Sequence, residues 1–117
     1  MAAAVPSRRG QDAVDWAKRQ TAPGAGNYHN LCLKFVRSCF GVPPKETNAK
    51  KGWENAKKRH NTSDADSIPL GVPIWFKTST VNWHVAISAG DGKCYSSDVG
   101  GRGRVGLIGI DALCRAW

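Results

Sequence analysis

The sequence predicts an α+β fold in which N-terminal helices pack on a C-terminal antiparallel β-sheet. Helical periodicity is confined to the chain before Pro69, and strand-like alternation to the chain after it. Segregation of this kind suits helices laid on an antiparallel sheet, whereas a parallel sheet needs strands that alternate with helices. Length adds a third constraint. At 117 residues the chain is of single-domain size, so residues 1–117 are expected to close around one core, with 1–10 as a loose N-terminus.

Asp12 is the expected cap of a first helix whose rough apolar face is Ala13, Val14, Trp16 and Ala17, and PGAGN at 23–27 ends it. Asn30 is the expected cap of a second helix, 31 to about 40. Leu31 and Phe35 share one stripe there, Cys32, Val36 and Cys39 an adjoining one, and Gly41 and Pro43 stop it. A third helix is expected from Thr47 through Ala49, Trp53, Ala56 and His60, with Lys50, Lys51, Lys57, Lys58 and Arg59 solvated. Residues 61–69 read as a surface loop. Strands are expected at 72–76, 82–88, 94–98 and 104–110, separated by Gly- and Ser-rich turns.

Seventeen Lys and Arg against nine Asp and Glu give a net charge of +8. The charge favours a polyanionic partner: nucleic acid, an acidic cell wall or anionic lipid. No stretch approaches the roughly 18 consecutive apolar residues of a membrane span, so none is expected. The start, MAAAVPSRRGQDAV, has a short apolar stretch followed, not preceded, by arginines, which is the wrong order for a secretory signal. Cytoplasmic synthesis without a signal peptide is therefore expected. The four cysteines, at 32, 39, 94 and 114, include no close pair, so reduced thiols are expected and no metal or other cofactor. Nucleic-acid binding is not expected either. The cations are spread over the third helix and the GRGR loop at 101–104 instead of alternating with exposed aromatics.

Two segments carry chemistry. NLCLKFVRSCFG, 30–41, puts Cys32 at the second position of the helix that Asn30 would cap. Unpaired N–H groups and the positive end of the helix dipole there favour thiolate over thiol; the plain alternative is a small buried hydrophobe. Cys39, near the other end of that helix, reads as structural. VNWHVAISAGDGKCYSSD, 81–98, reads as a hairpin in which Trp83, Val85 and Ile87 face one side and His84, Ala86 and Ser88 the other. Small Ala86 and Ser88 would let a helix approach on the His84 side. A three-residue loop, Gly90 to Gly92, would set Ala86 opposite Ser96 and His84 opposite Asp98, whose carboxylate could fix the imidazole tautomer. A two-residue Asp91-Gly92 loop would shift the pairing by one and set Asp98 diagonal to His84, leaving Ser96 and Ser97 as substitutes.

CLKFVR at 32–37, GVPIWF at 71–76, HVAIS at 84–88 with its GDG turn, and SSD at 96–98 resemble the cysteine, histidine-dependent amidohydrolase/peptidase (CHAP) family, in particular its bacteriophage lysins. The resemblance spans about residues 12–110. It implies a papain-like α+β fold and cleavage of peptidoglycan amide bonds by a monomer, as one module of a longer lysin. It further implies Cys32 as nucleophile, His84 as general base and acid, and Asp98 where the family commonly has Glu or another polar orienter. The family's usual Gly before the histidine is Trp83 here, a residue that could wall the groove. Asn27, Tyr28 and Asn30, just upstream of Cys32, are candidates for a side-chain oxyanion donor. Arg102 and Arg104 are expected at the cleft rim, where they would meet stem-peptide carboxylates. The alternative is a non-catalytic basic module that binds cell wall or nucleic acid.

Overall fold

The computed structural model describes residues 7–43, 48–56, 60–62 and 64–116. Helices come first: α1 (Gly10–Arg19), α2 (Cys32–Cys39) and α3 (Ala49–Asn55). After a 3-10 turn at Ala65–Ser67 follow β1 (Pro73–Phe76), β2 (His84–Gly90), β3 (Lys93–Ser97) and β4 (Val105–Gly109), and then α4 (Ile110–Ala116). The strands form one antiparallel meander in chain order. The α+β class and the helices-then-sheet order are as expected.

Helix boundaries depart from expectation in ways that matter at the site. α1 begins before Asp12, which sits in its first turn, where a carboxylate favours the dipole without capping. α2 begins at Cys32 with Leu31 as N-cap and no side-chain cap. Asn30 is left-handed at φ 57, so it does not cap and Cys32 is the first helical residue. Thr47 lies outside the described residues. α3 is capped by Asn48, whose Oδ1 accepts from the Lys51 N–H at 2.9 Å, and it stops at Asn55, short of His60. α4 was not foreseen. The run GLIGI continues strand grammar into Ile110, but Ile110 and Leu113 fall at helical spacing and are both buried.

The sheet separates two apolar clusters. On one face Val85, Ile87, Tyr95 and Val105 meet Ala13, Val14 and Ala17 of α1, Leu33, Phe35, Val36 and Cys39 of α2, and Ala49 of α3. On the other, Phe76, Ala86 and Cys94 meet Ile110 and Leu113 of α4. α2 thus packs on the Val85 face, not the Ala86 face. Large β-branched side chains offer it a continuous apolar surface that Ala86 and Ser88 do not. Arg8 ties α2 down at its far end, donating to the carbonyls of Ser38 (2.5 Å) and Cys39 (2.9 Å), as a cation suits a helix C-terminus.

The β2–β3 hairpin combines both anticipated loops. Asp91 and Gly92, at φ 55 and 73, make the two-residue turn of primed type, with Gly90 opposite Lys93. A bulge between Ser88 and Gly90 then absorbs one residue, so Ser88 faces Cys94 and Ile87 faces Tyr95, the register of the three-residue loop.

Candidate functional site

A cavity of about 460 Å3 opens between the start of α2, the start of β2 and the start of α3, and Cys32, His84, Asp98, Asn30 and Trp83 all line it. Of the four left-handed non-glycine residues among the described residues, three belong to this lining: Asn30 (φ 57), Trp83 (φ 59) and Asp98 (φ 59). Such conformations cost on the order of 1 kcal/mol or more each and tend to concentrate where a site demands them. Trp83 stands where the resembled family has Gly, the residue that takes this conformation freely. Its indole instead forms cavity wall, with Lys50 Nζ 5.9 Å from the ring centre. Beside it, the lining is tied together by the Asn48 amide donating to Asn82 Oδ1 (3.2 Å), the Lys50 N–H to the Asn82 carbonyl (3.0 Å) and the Trp75 indole to the Ala49 carbonyl (2.8 Å).

His84 is 2% exposed. It opens β2 opposite Phe76, whose ring centre is 6.1 Å from the imidazole. Its Nε2 lies 2.7 Å from Ser96 Oγ. Ser96 gives its own proton to the Ser97 carbonyl at 3.0 Å, so the hydroxyl accepts from Nε2–H and Nδ1 is the ring's lone-pair nitrogen. Burial pushes the imidazole down to about 4, the Asp98 charge offsetting only part of that. Ser97 points to the other face, and its buried hydroxyl has no hydrogen-bond partner among the described residues.

Cys32 does not have the depressed pKa expected of a helix start. Burial pushes its thiol up, and the negative charge of Asp98 adds to the effect. The N–H groups of Val85, Leu33 and Cys32 itself, which favour the thiolate, recover only part. At neutral pH Cys32 is therefore a neutral thiol and His84 a neutral imidazole. Cys39 and Cys94 are buried, and burial drives each up to about 12.

Asp98 is not where the hairpin register suggested. It lies past the end of β3, and among the described residues its hydrogen bonds run to His29 Nδ1 (3.0 Å) and to the N–H groups of Asn30 (3.2 Å) and Gly103 (2.6 Å). The acceptor for His84 Nε2–H is Ser96 instead, because the chain turns left-handed at Asp98 and carries the carboxylate off the strand. Burial alone would raise the Asp98 carboxyl, but His29, Gly103 and Asn30 outweigh it and hold it below its ordinary value.

Of the upstream residues, Asn30 lines the cavity. Asn27 is engaged with the His29 N–H (3.1 Å), and Tyr28 packs on Phe35 with ring centres 5.4 Å apart. Arg102 and Arg104 are exposed but do not line the cavity; its cations are Lys34 and Arg37 of α2. The Gly-rich loop turns away because Val99 and Arg104 pair through their backbones (3.1 Å). His29 was missed altogether. Nothing local marks it, since its partner lies 69 residues away.

Among the described residues no group of three or more His, Cys, Asp or Glu side chains is arranged to hold a metal ion. No helix among the described residues is long and apolar enough to cross a membrane. No family model matches the chain, and neither the curated proteins nor the solved structures contain a match.

Proposed function

We propose that this chain is a papain-like cysteine hydrolase of the CHAP type that cleaves amide bonds in peptidoglycan, as the catalytic domain of a bacteriophage lysin made in the host cytoplasm and acting at the wall. The observation that carries the reading is one cavity lined by a cysteine at the start of a helix and by a buried histidine whose tautomer a serine fixes. Cys32 Sγ attacks the amide carbonyl carbon while His84 Nδ1 takes the thiol proton. The N–H of Cys32, the first of α2, and the side chain of Asn30 receive the oxyanion. His84 then gives its proton to the leaving amine, a thioester remains on Cys32, and water activated by His84 releases the acid and restores the thiol. Ser96 holds the ring throughout, and the Asp98 charge favours the imidazolium as it forms.

The net charge of +8 suits an anionic wall. Clearing of a cell-wall suspension tests the reading. Wild type should clear it, and Cys32→Ala and His84→Ala should not, with both variants folded by circular dichroism. Binding without clearing by the wild type would favour the non-catalytic module.

A further inference from the structure

The chain just upstream of Cys32 is fastened to the loop that follows β3, and one carboxylate does the fastening. Asp98, its side chain 15% exposed, receives His29 Nδ1 on Oδ1, the Asn30 N–H on Oδ2 and the Gly103 N–H on Oδ1. Backbone bonds extend the seam: Tyr28 N–H to the Gly103 carbonyl (2.9 Å) and Leu31 N–H to the Tyr28 carbonyl (2.8 Å). Gly103 is left-handed at φ 78, and a Cβ there would run into the side chain of Asn27, so the two loops meet at backbone distance. α2 has no side-chain cap of its own. The chain leading into its first residue is held by this seam.

We propose that His29 and Asp98 are positioning residues for Cys32, clamping residues 27–31 and the first turn of α2 against the β3–β4 loop. The proposal rests on the reading of Cys32 as nucleophile. His29 supplies the third donor to Asp98 and is the more exposed of the two side chains, 34% against 15%. Asp98 has two effects on Cys32 of opposite sign. Its charge opposes the thiolate, whereas its hydrogen bonds hold the turn that presents the sulfur.

The experiment measures alkylation of Cys32 by iodoacetamide at pH 8 in a Cys114→Ser background, together with kcat and KM on solubilised wall fragments. His29→Ala should slow alkylation and lower kcat about tenfold with KM little changed, the size expected when a partner one shell out is removed. His29→Gln, which keeps an N–H donor, should recover most of both. Asp98→Ala should slow alkylation as well, although removal of its charge alone would speed it. Faster or unchanged alkylation in Asp98→Ala, or a wild-type rate in His29→Ala, overturns the clamp. Alkylation needs no wall substrate, so the two readings fail separately. Rates that follow the pattern in a protein that hydrolyses nothing would keep the clamp and sink the hydrolase. Normal hydrolysis by His29→Ala would do the reverse.

Discussion

Ser96 Oγ lies 2.7 Å from Nε2 of His84 and spends its own proton on the Ser97 carbonyl. That pairing puts the imidazole hydrogen on Nε2 and makes Nδ1 the basic nitrogen. A hydroxyl fixes the tautomer here without the full charge a carboxylate would bring, and a buried imidazole beside it is held neutral at physiological pH.

Ser96→Ala leaves a buried Nε2–H without its acceptor. Urea unfolding should show a loss of about 1–3 kcal/mol, and wall hydrolysis should fall by about 10- to 100-fold as the ring loses its orientation. A wild-type rate in a folded Ser96→Ala variant would remove Ser96 from the site.

Stability should depend on pH through His84. Its folded pKa, about 4, lies below the ordinary value of 6.5, so the unfolded chain binds more protons between those values and stability rises with pH there. Up to about 3 kcal/mol is lost as pH falls from about 6.5 toward 4, and His84→Gln should flatten that part of the profile. An equally steep dependence in His84→Gln would assign it to another group.

Thiol chemistry should report a neutral resting pair. With Cys114→Ser removing the exposed cysteine, alkylation of Cys32 should climb with pH through the alkaline range, because its thiol is raised above the ordinary value. Buried Cys39 and Cys94 should stay unlabelled in the folded protein. A rate already at its plateau near pH 6 would indicate a thiolate–imidazolium pair instead.

Trp83 should be more tolerant of Gly than of Val. At φ 59 a β-branched residue is strained by about 1–2 kcal/mol while glycine is not, so Trp83→Gly should unfold at higher urea concentration than Trp83→Val despite removing more apolar surface. The glycine variant should also raise KM for wall fragments, since the cavity loses that wall. The reverse stability order would mean that packing, not backbone strain, governs the position.

The helices-then-strands order, the helix that carries the cysteine near its start and the hairpin that carries His84 were legible because each rests on local periodicity, although that helix begins one residue later than expected. The Ile87–Tyr95 and Ser88–Cys94 pairs even fall in one of the two anticipated registers, although the turn belongs to the other; a bulge is a one-residue adjustment that alternation does not reveal. The partners of Asp98 were not legible. Alternation extended β3 one residue too far, and the left-handed turn at Asp98 sends the carboxylate to His29 on a distant loop. The cavity lining at Asn48, Thr80 and Asn82 is likewise made by segments that meet only in the folded chain. The elevated Cys32 thiol reflects burial, which outweighs the helix start that was visible in the sequence.

Mass spectrometry of purified peptidoglycan after digestion decides whether Cys32 cleaves an amide bond. Wild type should release fragments with new free amino termini at one type of amide bond, and Cys32→Ser should release none. Equal release by Cys32→Ser, or cleavage at glycosidic bonds alone, would contradict a cysteine hydrolase built on Cys32 and His84.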